Sequence, residues 1–134
     1  MMMKLDRMPI KVLHIGADNI GYGGRSVIAF NLTQYMDNER ITNDFLVFAN
    51  VKQKKYINAL ADKGGKYVRI DLNSHYLKVL KEVQRTIQMK MLIERERYDI
   101  IHIHADNAYE AMRSIWSGRF AGVKRFVIHA HTTG

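Results

Sequence analysis

The chain has 134 residues, enough for one domain with a buried core and too few for two. With 47% hydrophobic residues, 25% charged residues and one proline it reads as a folded chain, not a disordered one, and the lack of cysteine excludes disulfides and thiolate metal sites. The net charge of +8 suits an anionic partner without choosing among nucleic acid, lipid surface and phosphorylated ligand, and a merely solvated basic surface explains it as well.

The opening "MMMKLDRMPIKV" has no apolar segment of signal-peptide length, and no apolar run approaches the roughly 20 residues of a membrane-spanning helix. A cytoplasmic protein is the expectation.

Along the chain, "KVLHI" (Lys11 to Ile15) reads as a buried strand. From Ser26, a candidate N-cap, the pattern becomes helical, with Ile28, Leu32, Tyr35 and Met36 on one face. "DFLVFAN" (Asp44 to Asn50) is a second strand. "KKYINALADKGG" is a short helix with Ile57, Leu60 and Ala61 as its apolar side, stopped by Gly64 and Gly65. "KYVRIDL" (Lys66 to Leu72) is a third strand. A long helix follows from Ser74 to about Arg97, with Leu80, Val83, Ile87 and Met91 toward the core and Lys78, Lys81 and Arg85 on another side. "YDIIHIHA" (Tyr98 to Ala105) is a fourth strand. The next helix opens with Asn107 and Glu110 at capping-box spacing, carries Ala108, Ala111, Met112, Ile115 and Trp116 as its stripe, and closes at Gly122. "KRFVIHA" (Lys124 to Ala130) is a fifth strand.

Strict β-α alternation builds a parallel sheet with helices on both faces. Right-handed crossovers leave few orders, and the expectation is an α/β, Rossmann-like, doubly wound sheet of order 3-2-1-4-5. Ligands bind such sheets at the carboxyl ends of the strands. Three segments should meet there: the glycine loop after strand one, "HADN" after strand four and "HAHTTG" after strand five.

In "IGADNIGYGGRS", Gly21, Gly23 and Ser26 nearly match a dinucleotide fingerprint. An NAD site also needs an acid at the end of strand two, where Ala49 and Asn50 stand, so NAD ranks low. A more general reading remains: Gly23 and Gly24 let the backbone approach an anion at the helix N-terminus. A plain glycine-rich turn is the other reading. The pairs His102/His104 and His129/His131 each point to one side of their strand and invite a metal site. No second-strand carboxylate completes the set, and no metal is expected. His102 and His129 read as core residues. His104 and His131, at strand ends, read as hydrogen-bonding or acid–base groups, and His14 as core. A nucleophile elbow, a Walker loop and a nucleic-acid motif are all missing. The basic residues of the long helix, with Lys52, Lys54 and Lys55, read either as solvated or as attracted to an anionic membrane.

"KVLHIGADNIGYGGRSVIAFNLTQYMD" resembles the opening of family-4-type glycosyltransferases of the GT-B fold, "YDIIHIHADNAYEAM" their fourth strand and next helix, and "AGVKRFVIHAHTTG" their fifth strand with its terminal histidine. The middle, Asn43 to Ile70, is similar to the subgroup making capsular and exopolysaccharides. The resemblance implies two Rossmann-like domains across a cleft, of which residues 1–134 are an incomplete acceptor-side domain lacking the nucleotide-sugar half and inactive alone. It implies retaining transfer from a nucleotide-sugar to a lipid-linked or polysaccharide acceptor, with no cofactor and no essential metal, at the inner face of the membrane. By position it makes His131 the catalytic group and places Gly23 and Gly24 at the donor phosphate. Tyr22, His104, Asp106, Asn107 and Thr132 fall on the acceptor side. Arg25 and Ser26 replace the small residue and the Glu or Gln frequent after Gly-Gly in the family. Arg25 is expected as an anion contact, toward donor phosphate or an anionic acceptor. A stand-alone α/β module binding a phosphorylated small molecule is the competing reading.

Overall fold

Short β-rich runs separated by helical periodicity give five strands and four helices among the described residues. A computed structural model describes residues 9–17, 24–72, 77–105 and 107–130. The strands are β1 (Ile10–Ile15), β2 (Ile41–Val47), β3 (Tyr67–Arg69), β4 (Ile100–Ala105) and β5 (Arg125–Ala130). The helices are α1 (Gly24–Gln34), α2 (Lys54–Asp62), α3 (Lys78–Glu96) and α4 (Ala108–Phe120). All pairings are parallel, in the order β3-β2-β1-β4-β5. The doubly wound order read from the alternation is therefore the order found. Among the described residues no helix is long and apolar enough to cross a membrane.

Alternation along the strands divides the core in two. On one face Leu13, Ile15, Leu46, Ile101 and Ile103 pack against Met89, Leu92 and Ile93 of α3, with Ala111 and Ile115 of α4 alongside. On the other, Phe45 and Val47 pack against Ala29 and Phe30 of α1 and Leu60 of α2. β2 starts three residues earlier than the apolar run suggested, at Ile41, so Asp44 is buried inside the strand. Its carboxylate is tolerated there because the Tyr98 hydroxyl donates to Oδ2 at 2.5 Å and the Lys66 N–H donates to Oδ1 at 3.0 Å. Burial nevertheless pushes the Asp44 carboxyl above its ordinary value, against those hydrogen bonds.

Three helices bury a different side from the one their largest apolar residues suggest. In α1 the buried residues are Ser26, Ala29, Phe30 and Thr33, while Ile28 and Leu32, and Tyr35 just past the helix, are exposed. Ser26 is the third residue of α1 and not its cap. In α3 the buried residues are Met89, Leu92 and Ile93, and Leu80, Val83, Ile87 and Met91 are each at least half exposed. In α4, Ser114, Ser117 and Gly118 face the sheet, while Met112 and Trp116 face outward. The reason is the depth of the seam. A Cβ on Gly118 would stand 2.6 Å from Phe126 Cε1, so α4 lies too close to the sheet for a large side chain beneath it. Ser117 satisfies its hydroxyl within the helix, donating to the Arg113 carbonyl at 3.1 Å. The displaced side chains meet across the helices, where Val79, Val83 and Ile87 of α3 and Tyr109, Met112 and Trp116 of α4 line an apolar groove of about 450 Å³.

Candidate functional site at the carboxyl ends of β1 and β4

β1 and β4 are neighbours, and the helices that follow them depart to opposite faces, which opens a crevice at their carboxyl ends. The chain leaves β1 through Gly16, whose φ of +91° and contact with β4 admit no side chain: a Cβ would lie 2.0 Å from the His104 carbonyl oxygen. α1 then begins at Gly24 and carries no acidic residue in its first turn, where a helix end favours negative charge. Across the crevice, Asn107 caps α4 by accepting from the Glu110 N–H at 2.9 Å, as the spacing of the two residues predicts.

Beside this junction is a polar cavity of about 200 Å³, lined by Gly16, Phe48, Arg85, His104, Glu110 and Arg113 among others. Arg85 reaches it from α3 with its guanidinium 4.7 Å from the centre of the Phe48 ring. Arg113 comes from α4 and donates to both oxygens of Glu82, at 3.0 and 3.3 Å. Arg85 thus leaves the solvated basic side on which the sequence placed it, and Arg113 was not singled out at all. Its one available signal was position: it follows the Asn107 cap by six residues, one turn beyond Glu110, in the helix that starts at β4.

On the sheet's other face the parallel register sets His14 opposite His102 and His104 opposite His129. The rings stack. His102 and His104 are 4.4 Å apart at 5°, His14 and His102 are 4.8 Å apart, and His14 lies 4.5 Å from Phe45. His14 Nε2–H donates to Asn43 Oδ1 at 2.8 Å, and its Nδ1 stands 3.1 Å from His104 Nε2. Burial, reinforced by His102 and opposed by the Asn43 hydrogen bond, lowers the His14 pKa to about 4, so this ring is neutral at pH 7. Depth in the sheet differs from the sequence expectation: His104 is 1% exposed, while His102 and His129 are half-buried. A strand end is not a surface when strands flank it on both sides, as β1 and β5 flank β4.

Sequence comparison matches residues 28–134 to the family described as Glycosyl transferase 4-like. The chain belongs to that family. Among solved structures, this glycosyl transferase 4-like chain is similar to the lipopolysaccharide outer core galactosyltransferase WaaB in its apo form. The TM-score is 0.65 at 17% identity, over 92% of this chain and 33% of that one. It is also similar to a glycosyltransferase from Rickettsia africae ESF-5, with TM-score 0.62 and 12% identity over 90% of this chain and 29% of that one. A third likeness is to the C-terminal domain of a hydrogenase from Pyrococcus furiosus, with TM-score 0.57 and 16% identity over 90% and 91% of the two chains. These likenesses establish a shared fold, and the chain spans about a third of the two glycosyltransferases it matches. No curated protein sequence matches it.

In the glycosyl transferase 4-like domain, Gly24 and Arg25 are the first two residues of α1, His104 lies next to the end of β4, and Asn107 caps α4. Both helix starts therefore follow the adjacent strands β1 and β4. Tyr22, Gly23, Asp106, His131 and Thr132 lie outside the described residues. β5 ends at Ala130, level with Ala105 of β4, so the strand that precedes His131 finishes at the same edge of the sheet.

Proposed function

We propose that this chain is the acceptor-side domain of a two-domain retaining glycosyltransferase, which moves a sugar from a nucleotide-sugar to a lipid-linked or polysaccharide acceptor. The observation that carries the reading is the alignment of three segments at one sheet edge: the glycine-headed α1 after β1, the Asn107-capped α4 after β4, and the level end of β5. Family membership adds sugar transfer to that geometry. Gly23, Gly24 and Arg25 would receive the donor phosphates with backbone N–H groups and positive charge. His131 would stand at the reacting carbon, with Tyr22, His104, Asp106, Asn107 and Thr132 toward the acceptor. His104 would contribute there through its main chain, since its ring is turned to the buried face and held by His14. The transfer needs no cofactor beyond the nucleotide-sugar.

On the same proposal the domain works at the inner face of the membrane, in capsular or exopolysaccharide synthesis. The groove between α3 and α4 supports this. Its apolar wall carries Trp116 and Tyr109, and Lys78, Lys81 and Arg119 occupy the same two helices. Aromatic and apolar side chains beside lysine and arginine are the surface that an anionic lipid interface attracts.

The test is sugar transfer by the complete gene product that contains this chain, with and without His131→Ala. The substitution is expected to lower kcat roughly a hundredfold or more. Unchanged turnover would remove His131 from the site. The domain alone should not transfer sugar, because the leaving diphosphate lacks the charges of the second domain. Vesicle flotation with anionic lipid should recover the protein at low salt and less of it at high salt. No recovery at low salt would reject the membrane placement.

A further inference from the structure

We propose that His14, His102 and His104 form a site for one first-row divalent cation of the zinc class, bridging β1 and β4. The site is independent of sugar transfer, and its ion would tie the sheet together. Read from sequence, the H-x-H pair of β4 stood beside that of β5 with no carboxylate to complete the set, and His14 was a core residue. The parallel register supplies the missing member by setting His14 directly opposite His102.

Three observations carry the proposal. First, one ligand atom from each of the three rings lies within 4.8 Å of the other two. His14 Nδ1 and His104 Nε2, at 3.1 Å, are already near the roughly 3.3 Å that separates two nitrogens on a tetrahedral zinc ion. Second, His14 is oriented from behind. Its Nε2–H donates to Asn43 Oδ1 at 2.8 Å, and Asn43 Nδ2 in turn donates to Met36 Sδ at 3.3 Å. This fixes the tautomer in which His14 Nδ1 offers its lone pair, the outer-shell arrangement that metal-bound histidines use. Third, the donor set selects its ion. Neutral imidazoles favour zinc, nickel or copper over magnesium or calcium, which take oxygen.

Binding balances without a redox partner. His14 keeps its Nε2 proton on Asn43, while His104, whose Nε2–H donates to His14 Nδ1 in the ion-free protein, must move that proton to its own Nδ1 so that Nε2 can bind. Three neutral rings then donate three lone pairs, and water completes the tetrahedron. His102 must turn out of its stack on His104, and it is the half-buried member of the three.

The experiment titrates the tag-free protein with ZnCl₂ in chelator-treated buffer by isothermal calorimetry. A parallel Co²⁺ titration reads the visible spectrum. His102→Asn is the main variant, and His75→Asn, in the chain between β3 and α3, is the control. Far-UV circular dichroism without metal checks that both fold. The expected result is one Zn²⁺ per chain, an intense tetrahedral Co²⁺ spectrum, affinity at least tenfold weaker in His102→Asn, and no change in His75→Asn. Absence of one-to-one binding, a weak octahedral Co²⁺ spectrum, or equal affinity in wild type and His102→Asn would each overturn the site. Transfer activity plays no part in the readout, so failure here leaves the glycosyltransferase reading untouched, and the reverse.

Discussion

His14 Nδ1 and His104 Nε2 are 3.1 Å apart although 90 residues separate them in the chain. The contact joins β1 to β4 through side chains beneath the crevice, in addition to the backbone ladder. The His14 ring is 1% exposed, and its protonation is coupled to folding.

That coupling sets a pH dependence. The folded His14 pKa, about 4, lies below the ordinary 6.5, so the unfolded chain binds a proton that the folded chain refuses. The contribution is fully present above pH 6.5 and is lost as pH falls toward 4, on the order of 3 kcal/mol in all. Asp44, raised by burial, acts with opposite sign and returns some stability at the acid end. Urea denaturation between pH 7 and 4.5 should show stability falling with pH, and His14→Gln should flatten the slope. An equal slope in the variant would assign it elsewhere.

Gly16 and Gly122 share a left-handed backbone, with φ of +91° and +92°, but not a neighbourhood. A Cβ on Gly16 would strike the His104 carbonyl oxygen at 2.0 Å, whereas none of the described atoms lies within 4 Å of one on Gly122. Gly16→Ala should cost about 3 kcal/mol or more, from backbone strain plus overpacking. Gly122→Ala should cost about 1 kcal/mol, from strain alone. Chemical denaturation of the two variants measures the difference, and equal costs would contradict the close approach of β1 and β4.

On α3, Met91 is 62% exposed and Ile93 1%. Met91→Gln should change stability by no more than about 0.5 kcal/mol, and Ile93→Ala should cost about 2 to 5 kcal/mol. The reverse ranking would restore the face that hydrophobic periodicity suggests.

Tyr98→Phe removes the hydroxyl that donates to Asp44 Oδ2 at 2.5 Å and leaves a buried carboxylate oxygen without that donor. The expected loss is about 1 to 3 kcal/mol. Asp44→Asn should recover part of the loss in the Tyr98→Phe background, because it removes the buried charge. A double-mutant cycle by thermal unfolding checks this, and additive effects would mean the two groups do not interact.

Sheet order was legible in the sequence because it follows from alternation and handedness, which need only element types. So was the Asn107 cap, which needs one side chain and one backbone N–H three residues away. The helix faces were not. Periodicity places large apolar residues on a stripe but does not say whether the sheet admits them, and Gly118 with Ser114 and Ser117 excludes them from the α4 seam. At the candidate site, Gly24 and Asn107 stood out as local signals after strands. Arg113 and His14 did not, because Arg113 gains its place through Glu82 on α3 and His14 through its register with His102. Both are long-range facts.

The tight seam under α4 also means that the outer groove can be adjusted from beneath. A larger residue at position 114, 117 or 118 would act as a wedge, lifting α4 and resetting its spacing from α3. The Trp116 wall would shift without any change in the side chains a partner meets. Substitutions hidden in the interior could in this way retune the exterior and leave its composition as it was.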